Sequence, residues 1–151
     1  MTEKTIIMDG TNLILGRICS IIAKKLLNGE KITLINAENI VISGNKKMVL
    51  KDYIRRTQIK TRTAPWRGPF QPRRPDKLVK RTVRGMLPRN NDRGFKALKN
   101  LKVIIGEPNE FKDKERENLS SLFPKIGLNK ISGKFITIGE LSKEIGWNPA
   151  I

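Results

Sequence analysis

Residues 62–75, RTAPWRGPFQPRRP, hold four arginines, four prolines, a Trp and a Phe. Guanidinium groups fork onto phosphate through paired N–H donors. Trp66 and Phe70 offer flat faces for unpaired bases or for a groove in folded RNA. Proline fixes φ and removes a backbone donor, so the run is neither a helix interior nor a central strand. It reads as a stiffened arm that loses little entropy on binding, with Lys60, Arg62, Arg67, Arg73 and Arg74 carrying its charge. Two other readings are that Trp66 and Phe70 pin the loop to the body, and that the run is a polyproline II ligand for a protein, which explains the prolines and not the charge.

A second constellation follows directly. In PDKLVKRTVRGMLP (75–88), a helical period puts Leu78, Val79, Thr82, Val83 and Met86 on one side and Lys77, Lys80, Arg81 and Arg84 on the other. One face suits a core, and the other suits a row of phosphates. A third candidate is SGNKK (43–47), a loop expected between a strand and a helix, where backbone N–H groups and Lys46 and Lys47 could hold phosphate. It lacks the full GxxxxGK[ST] pattern, and the chain has no GxGxxG, so an RNA phosphate fits better than a nucleotide cofactor. Arg17, on the polar stripe of the first helix, and Arg55, Arg56, Arg89, Arg93, Lys96 and Lys99 complete the expected RNA-binding set.

These cations are concentrated. Residues 1–45 carry five basic and four acidic side chains, residues 46–102 nineteen and three, and residues 103–151 seven and seven. Of a formal charge of +17, the middle segment therefore holds +16. Charge focused in this way indicates an anionic partner meeting one region, nucleic acid above all.

Other chemistry is thinly supported. The chain has no histidine, which removes Ser-His-Asp and Cys-His catalysis and histidine metal sites. One cysteine allows neither an internal disulfide nor a Cys-rich zinc site; Cys19 reads as a small core residue. Asp9, at the end of the first strand, is the best-placed carboxylate, but no second acid accompanies it locally, and Asp52, Asp76 and Asp92 form no metal-binding motif. The expectation is no enzyme, no cofactor, no metal and no small-molecule substrate. The opening MTEKTIIMDG lacks an apolar leader region, and no run approaches the ~18 apolar residues of a membrane span.

The elements that must position these residues alternate. TIIMD (5–9) reads as a buried strand. Residues 13–27 form an amphipathic helix with Leu15, Ile18, Ile22 and Leu26 on one face, Thr11 or Asn12 as N-cap and Gly29 as stop. KITLINA (31–37) and NIVIS (39–43) are further strands, giving a βαβ unit and a parallel sheet. Gly16 is expected to permit close backbone approach. Helices are expected at 47–60, with Val49, Leu50, Tyr53, Ile54 and Thr57 on one face, at 75–88 and at 94–100. A strand follows at 101–106, and a strand and terminal helix at 134–147. There is no internal repeat and no clean linker, so residues 1–151 read as one domain, with 62–75 as an arm within it.

Two stretches resemble a known family. LILGRICSIIAKKLLNGEKITLINAENIVISGN (13–45) and VRGMLPRNNDRGFKALKNLKVIIG (83–106), with its Gly85-Met86-Leu87-Pro88 run, are similar to the thirteenth protein of the large ribosomal subunit. WRGPFQPRRPDKLVKRTVRGMLP (66–88) and FITIGELSKEIGW (135–147) resemble its archaeal and eukaryotic branch. Phe95 stands where that family leads one to expect a polar or basic residue, and residues 107–133 match least. The resemblance implies a three-layer α/β/α domain around a four-stranded, mainly parallel sheet. It also implies a non-catalytic role in the cytoplasmic ribosome, binding large-subunit rRNA beside neighbouring large-subunit proteins and joining the subunit early in assembly. The rivals are a free-standing RNA- or DNA-binding regulator and a nucleotide-using enzyme on a doubly wound sheet.

Overall fold

The computed structural model describes residues 5–112, 114–117 and 119–149. Strands β1 (Thr5–Asp9), β2 (Lys31–Ile35) and β4 (Leu101–Val103) form a parallel sheet in the order β1-β2-β4. Strands β3 (Val41–Ser43) and β5 (Phe135–Thr137) pair antiparallel as a separate ribbon. Helices α1 (Leu15–Leu27), α2 (Lys46–Gln58), α3 (Pro75–Met86), α4 (Asp92–Lys99), α5 (Leu119–Leu122) and α6 (Ile138–Glu144) complete the regular elements.

Strand register explains the core. Ile6 pairs with Ile32 and Met8 with Leu34, while Ile32 pairs with Leu101 and Leu34 with Val103. Side chains two residues apart share a face, so this row lies on one side of the sheet, in one cluster with Ile18, Ile22 and Leu26 of α1, Val79 and Val83 of α3 and Ala97 of α4. Cys19 is completely buried there, as its apolar neighbours predict, and burial pushes its thiol up to about 12. The opposite face, Ile7 and Ile35, is covered by Phe111 and Ile104, in a segment with a single 3-10 turn, Asn109–Phe111.

This corrects the four-stranded expectation for the described residues. The parallel sheet has three strands, and at the outer edge of β1 there is only an isolated bridge between Met8 and Glu117. β3 does not join the sheet. After β2, Asn36 turns left-handed (φ 54°) and a 3-10 turn, Ala37–Asn39, redirects the chain. The Val41 amide then donates to the Leu13 carbonyl (2.9 Å) and the Ile138 amide to the Ile40 carbonyl (2.8 Å), which commits this segment to other partners.

Two local expectations also change. Neither Thr11 nor Asn12 caps α1: Ile14 is the N-cap residue, Asn12 has φ 57°, and Thr11 instead donates to Asp9 Oδ1 from its amide (2.9 Å) and hydroxyl (2.7 Å). Gly16 is exposed, and a β-carbon there would meet nothing within 4 Å, so it mediates no close approach.

Candidate nucleic-acid interface

The amphipathic division of α3 holds. Pro75 occupies its first turn, where the missing N–H is no loss. Leu78, Val79 and Val83 are buried, while Lys77, Lys80, Arg81 and Arg84 are exposed. Met86 departs from the expected apolar face and is exposed, because the helix ends there and Leu87 takes the core position. Helix α2 is more superficial than its pattern predicts. None of its residues is buried; Val49, Leu50 and Tyr53 lean on the core edge, and Ile54 is exposed. Burial pushes the Tyr53 hydroxyl up, and Arg56 stands over its ring at 5.1 Å.

Residues 59–74 connect α2 to α3 without strand or α-helix, with one 3-10 turn, Pro65–Arg67. Its two aromatics do not pin it to the body: Trp66 is 71% exposed and Phe70 74%. The end of the segment lies along α3, where Arg81 Nη1 donates to the Phe70 carbonyl at 3.4 Å. Between them runs a groove of about 640 Å³ lined by Phe70, Pro72, Leu98 and the cations Arg73, Arg74, Lys77, Lys80, Arg81 and Arg84. A smaller cleft of about 210 Å³, with Tyr53, Arg56, Gln71, Pro72 and Arg81 in its lining, separates α2 from the segment and α3.

Little negative charge answers these cations. Among the described residues, Arg74 pairs with Asp76 (3.2 Å), Arg56 with Asp52 (2.5 Å) and Lys46 with Glu140 (3.6 Å), while Lys77, Lys80, Arg81 and Arg84 have no carboxylate partner. Lys80 Nζ donates to the Leu101 carbonyl (3.2 Å) and Arg93 Nη2 to the Leu27 carbonyl (3.2 Å); such bonds orient a cation and leave its charge uncompensated.

Every residue expected to touch RNA is exposed, but they do not form one cluster. Arg73, Arg74, Lys77, Lys80, Arg81, Arg84 and Phe70 share the groove. Arg84 and Arg89 border a notch with Phe95 on α4, and Arg93 and Lys96 line a third depression beside Leu26 and Gly29. Arg17 lies away from all of these, beside Asn45 and the loop 130–134, and its Nη1 donates to the Lys125 carbonyl. Lys47 lies at the α2 start, where the Asn45 side chain accepts from the Lys47 amide at 3.2 Å. The RNA-binding reading of the sequence omitted Phe95, although it is 56% exposed; an aromatic among cations was its available signal.

Asp9 is held structurally. Burial raises its pKa, but hydrogen bonds from the Thr11 side chain and backbone and from Asn36, with the charge of Arg116, outweigh that and leave it lowered. Arg116 lies 3.5 Å from Asp9 and also pairs with Glu107, so the strand end is closed by an ion-pair latch. Among the described residues there is no group of three or more His, Cys, Asp or Glu able to hold a metal, and no helix is long and apolar enough to cross a membrane.

The exposed cations of this α/β body thus have few carboxylate partners among the described residues. The family is specific: a model for "Ribosomal protein L13" matches residues 3–110, and the chain belongs to that family. It is 38% identical over 151 residues to a protein of Aeropyrum pernix, covering 98% of this chain and 94% of that one. It is 41% identical over 141 residues to one of Methanosarcina barkeri, covering 93% and 96%. Against one of Caenorhabditis elegans it is 41% identical over 149 residues, covering 97% and 72%. Each of these relatives is named "Large ribosomal subunit protein uL13".

Proposed function

We propose that this protein is a structural constituent of the large ribosomal subunit that binds and stabilises large-subunit rRNA and aids subunit assembly. The observation that carries this reading is the groove between residues 70–74 and α3, where six cations and the exposed Phe70 converge with one carboxylate pair among them. Family membership supplies the ribosomal context.

In this reading residues 1–151 act as one domain and the sheet-and-helix body is a scaffold. Residues 62–75 form a stiff arm, the prolines keeping its shape while Arg62, Arg67, Arg73 and Arg74 hold phosphates. Trp66 and Phe70 stack on bases or fill a groove in folded RNA. The row Lys77, Lys80, Arg81 and Arg84 runs along a backbone, with Arg55, Arg56, Lys60, Arg89, Arg93, Lys96 and Lys99 adding contacts around it and Arg17, Lys46 and Lys47 adding contacts apart from it. Phosphate neutralisation supplies most of the affinity, and shape supplies placement. The partners are rRNA and neighbouring large-subunit proteins in the cytoplasmic ribosome, and the reading assigns no catalysis, cofactor or small-molecule substrate.

Sucrose-gradient sedimentation of native lysate through a salt series tests this. The protein is expected to travel with the large subunit and to resist a salt wash. A protein that stays at the top of the gradient would point to a free-standing nucleic-acid binder instead.

A further inference from the structure

A second groove, of about 600 Å³, lies at the start of α2, between Asn45, Arg17 of α1 and the loop before β5. Its cations come from two separate parts of the chain: Arg17 on α1, and Lys130 and Lys134 on the loop before β5. Among the described residues Lys130 and Lys134 have no carboxylate partner, and Glu140, the carboxylate at this end of α2, is paired with Lys46 at 3.6 Å. The helix N-terminus does not carry this site, because the Asn45 side chain already caps the Lys47 amide.

The walls are fixed by backbone bonds. The Leu128 amide donates to the Asn12 carbonyl (2.9 Å), the Ile14 amide to the Ile126 carbonyl (2.9 Å) and the Gly44 amide to the Lys134 carbonyl (2.8 Å). Arg17 is held on the same loop through the Lys125 carbonyl. The loop is therefore stitched to the segment leading into α1 on one side and to Gly44, just after β3, on the other, and its lysines project from a set frame. Such preorganisation reduces the ordering cost of binding. The rest of the lining is Ile14, Ile131, Ser43, Gly44, Asn45, Ser132 and Gly133, with no aromatic. Protein-binding hot spots favour buried aromatic anchors, whereas an open trough without aromatics, whose cations lack carboxylate partners, suits a sugar–phosphate backbone.

We infer that Arg17, Lys130 and Lys134 form a second phosphate-binding site that holds an RNA strand distinct from the one on α3, so that the protein clamps two RNA segments. This rests on the rRNA-binding reading above. The two grooves share no lining residue: one is built from Ile14, Arg17, residues 43–45 and 130–134, the other from residues 70–74, α3 and Leu98.

The test is hydroxyl-radical footprinting of large-subunit rRNA with the full chain, the variant K130E/K134E and the variant K77A/K80A/R81A/R84A, with affinities across a salt series. The wild type is expected to protect two separate RNA segments. K130E/K134E is expected to lose one of them, keep the other and lower the salt slope by about 1.5, two phosphates at ~0.7–0.9 each; the α3 variant should lose the complementary segment. Unchanged footprint and slope in a folded K130E/K134E protein would overturn the second site while leaving the proposed function standing. Retained footprints with loss of a large-subunit protein contact would overturn it in favour of an acidic protein partner. A wild type that protects no rRNA would overturn both readings together.

Discussion

A β-carbon placed on Gly94 would stand 1.9 Å from the carbonyl oxygen of Pro88. The turn that ends the Gly-Met-Leu-Pro run and the first turn of α4 are thus in backbone contact, and only glycine leaves room for it. This contact sets α4 against the end of α3, and with it the spacing of Arg84 and Arg89 from Arg93 and Lys96.

Gly94→Ala is accordingly expected to destabilise the fold by about 1–3 kcal/mol, the usual cost of overpacking a tight site. Gly16→Ala is expected to do the reverse, adding up to about 1 kcal/mol, since alanine is the better helix former and its β-carbon meets nothing within 4 Å. Urea unfolding of the two variants beside the wild type checks both signs.

Trp66→Ala and Phe70→Ala should leave stability within about 0.5 kcal/mol, as befits exposed positions, because these rings are 71% and 74% exposed. Each should weaken rRNA binding by about 1–3 kcal/mol if its ring stacks on a base. Melting curves and filter binding separate the outcomes: a large stability loss would mean that the aromatic holds the segment to the body.

Asp9 ties stability to pH. Its folded-state pKa lies below the ordinary 3.8, so its contribution is present above that value and is lost as pH falls through the lower folded pKa. Asp9→Asn is expected to be less stable than the wild type near neutrality, the gap narrowing as the medium is acidified below 3.8. Stability curves of the two proteins between neutral and strongly acidic pH measure this, and a gap that widened toward acid would contradict the sign.

Helices were the legible part of the sequence. Ile18, Ile22 and Leu26 announced the buried face of α1, and Leu78, Val79 and Val83 that of α3, because helical periodicity is a local signal sampled over several turns. Sheet topology was legible in part: the β1-α1-β2 unit pairs parallel as its spacing implies, but the place of β3 could not be read. β3 and β5 have three residues each, too few to show a period, and their pairing joins residues 41–43 to 135–137, a choice set by tertiary contacts. Ile54 shows the limit of periodicity even in a helix: it lies on the apolar side of α2, yet only Val49, Leu50 and Tyr53 of that side reach the core edge and Ile54 is exposed.

Glycine roles were equally hidden, since Gly16 and Gly94 look alike in sequence and differ only in what stands opposite. The α3 face could be read because four cations recur at helical spacing. Lys130 and Lys134 could not, because the neutral balance of residues 103–151 averages them with seven carboxylates, although neither lysine has a carboxylate partner among the described residues.

The central claim is that the groove beside α3 is an rRNA backbone contact. Its most direct test is the salt dependence of large-subunit rRNA binding by K77A/K80A/R81A/R84A and the wild type, with melting temperatures measured in parallel. The predicted result is weaker binding, a slope of log K against log salt shallower by about 3, four phosphates at ~0.7–0.9 each, and a near-unchanged melting temperature. Wild-type affinity and slope in a folded variant would contradict the account.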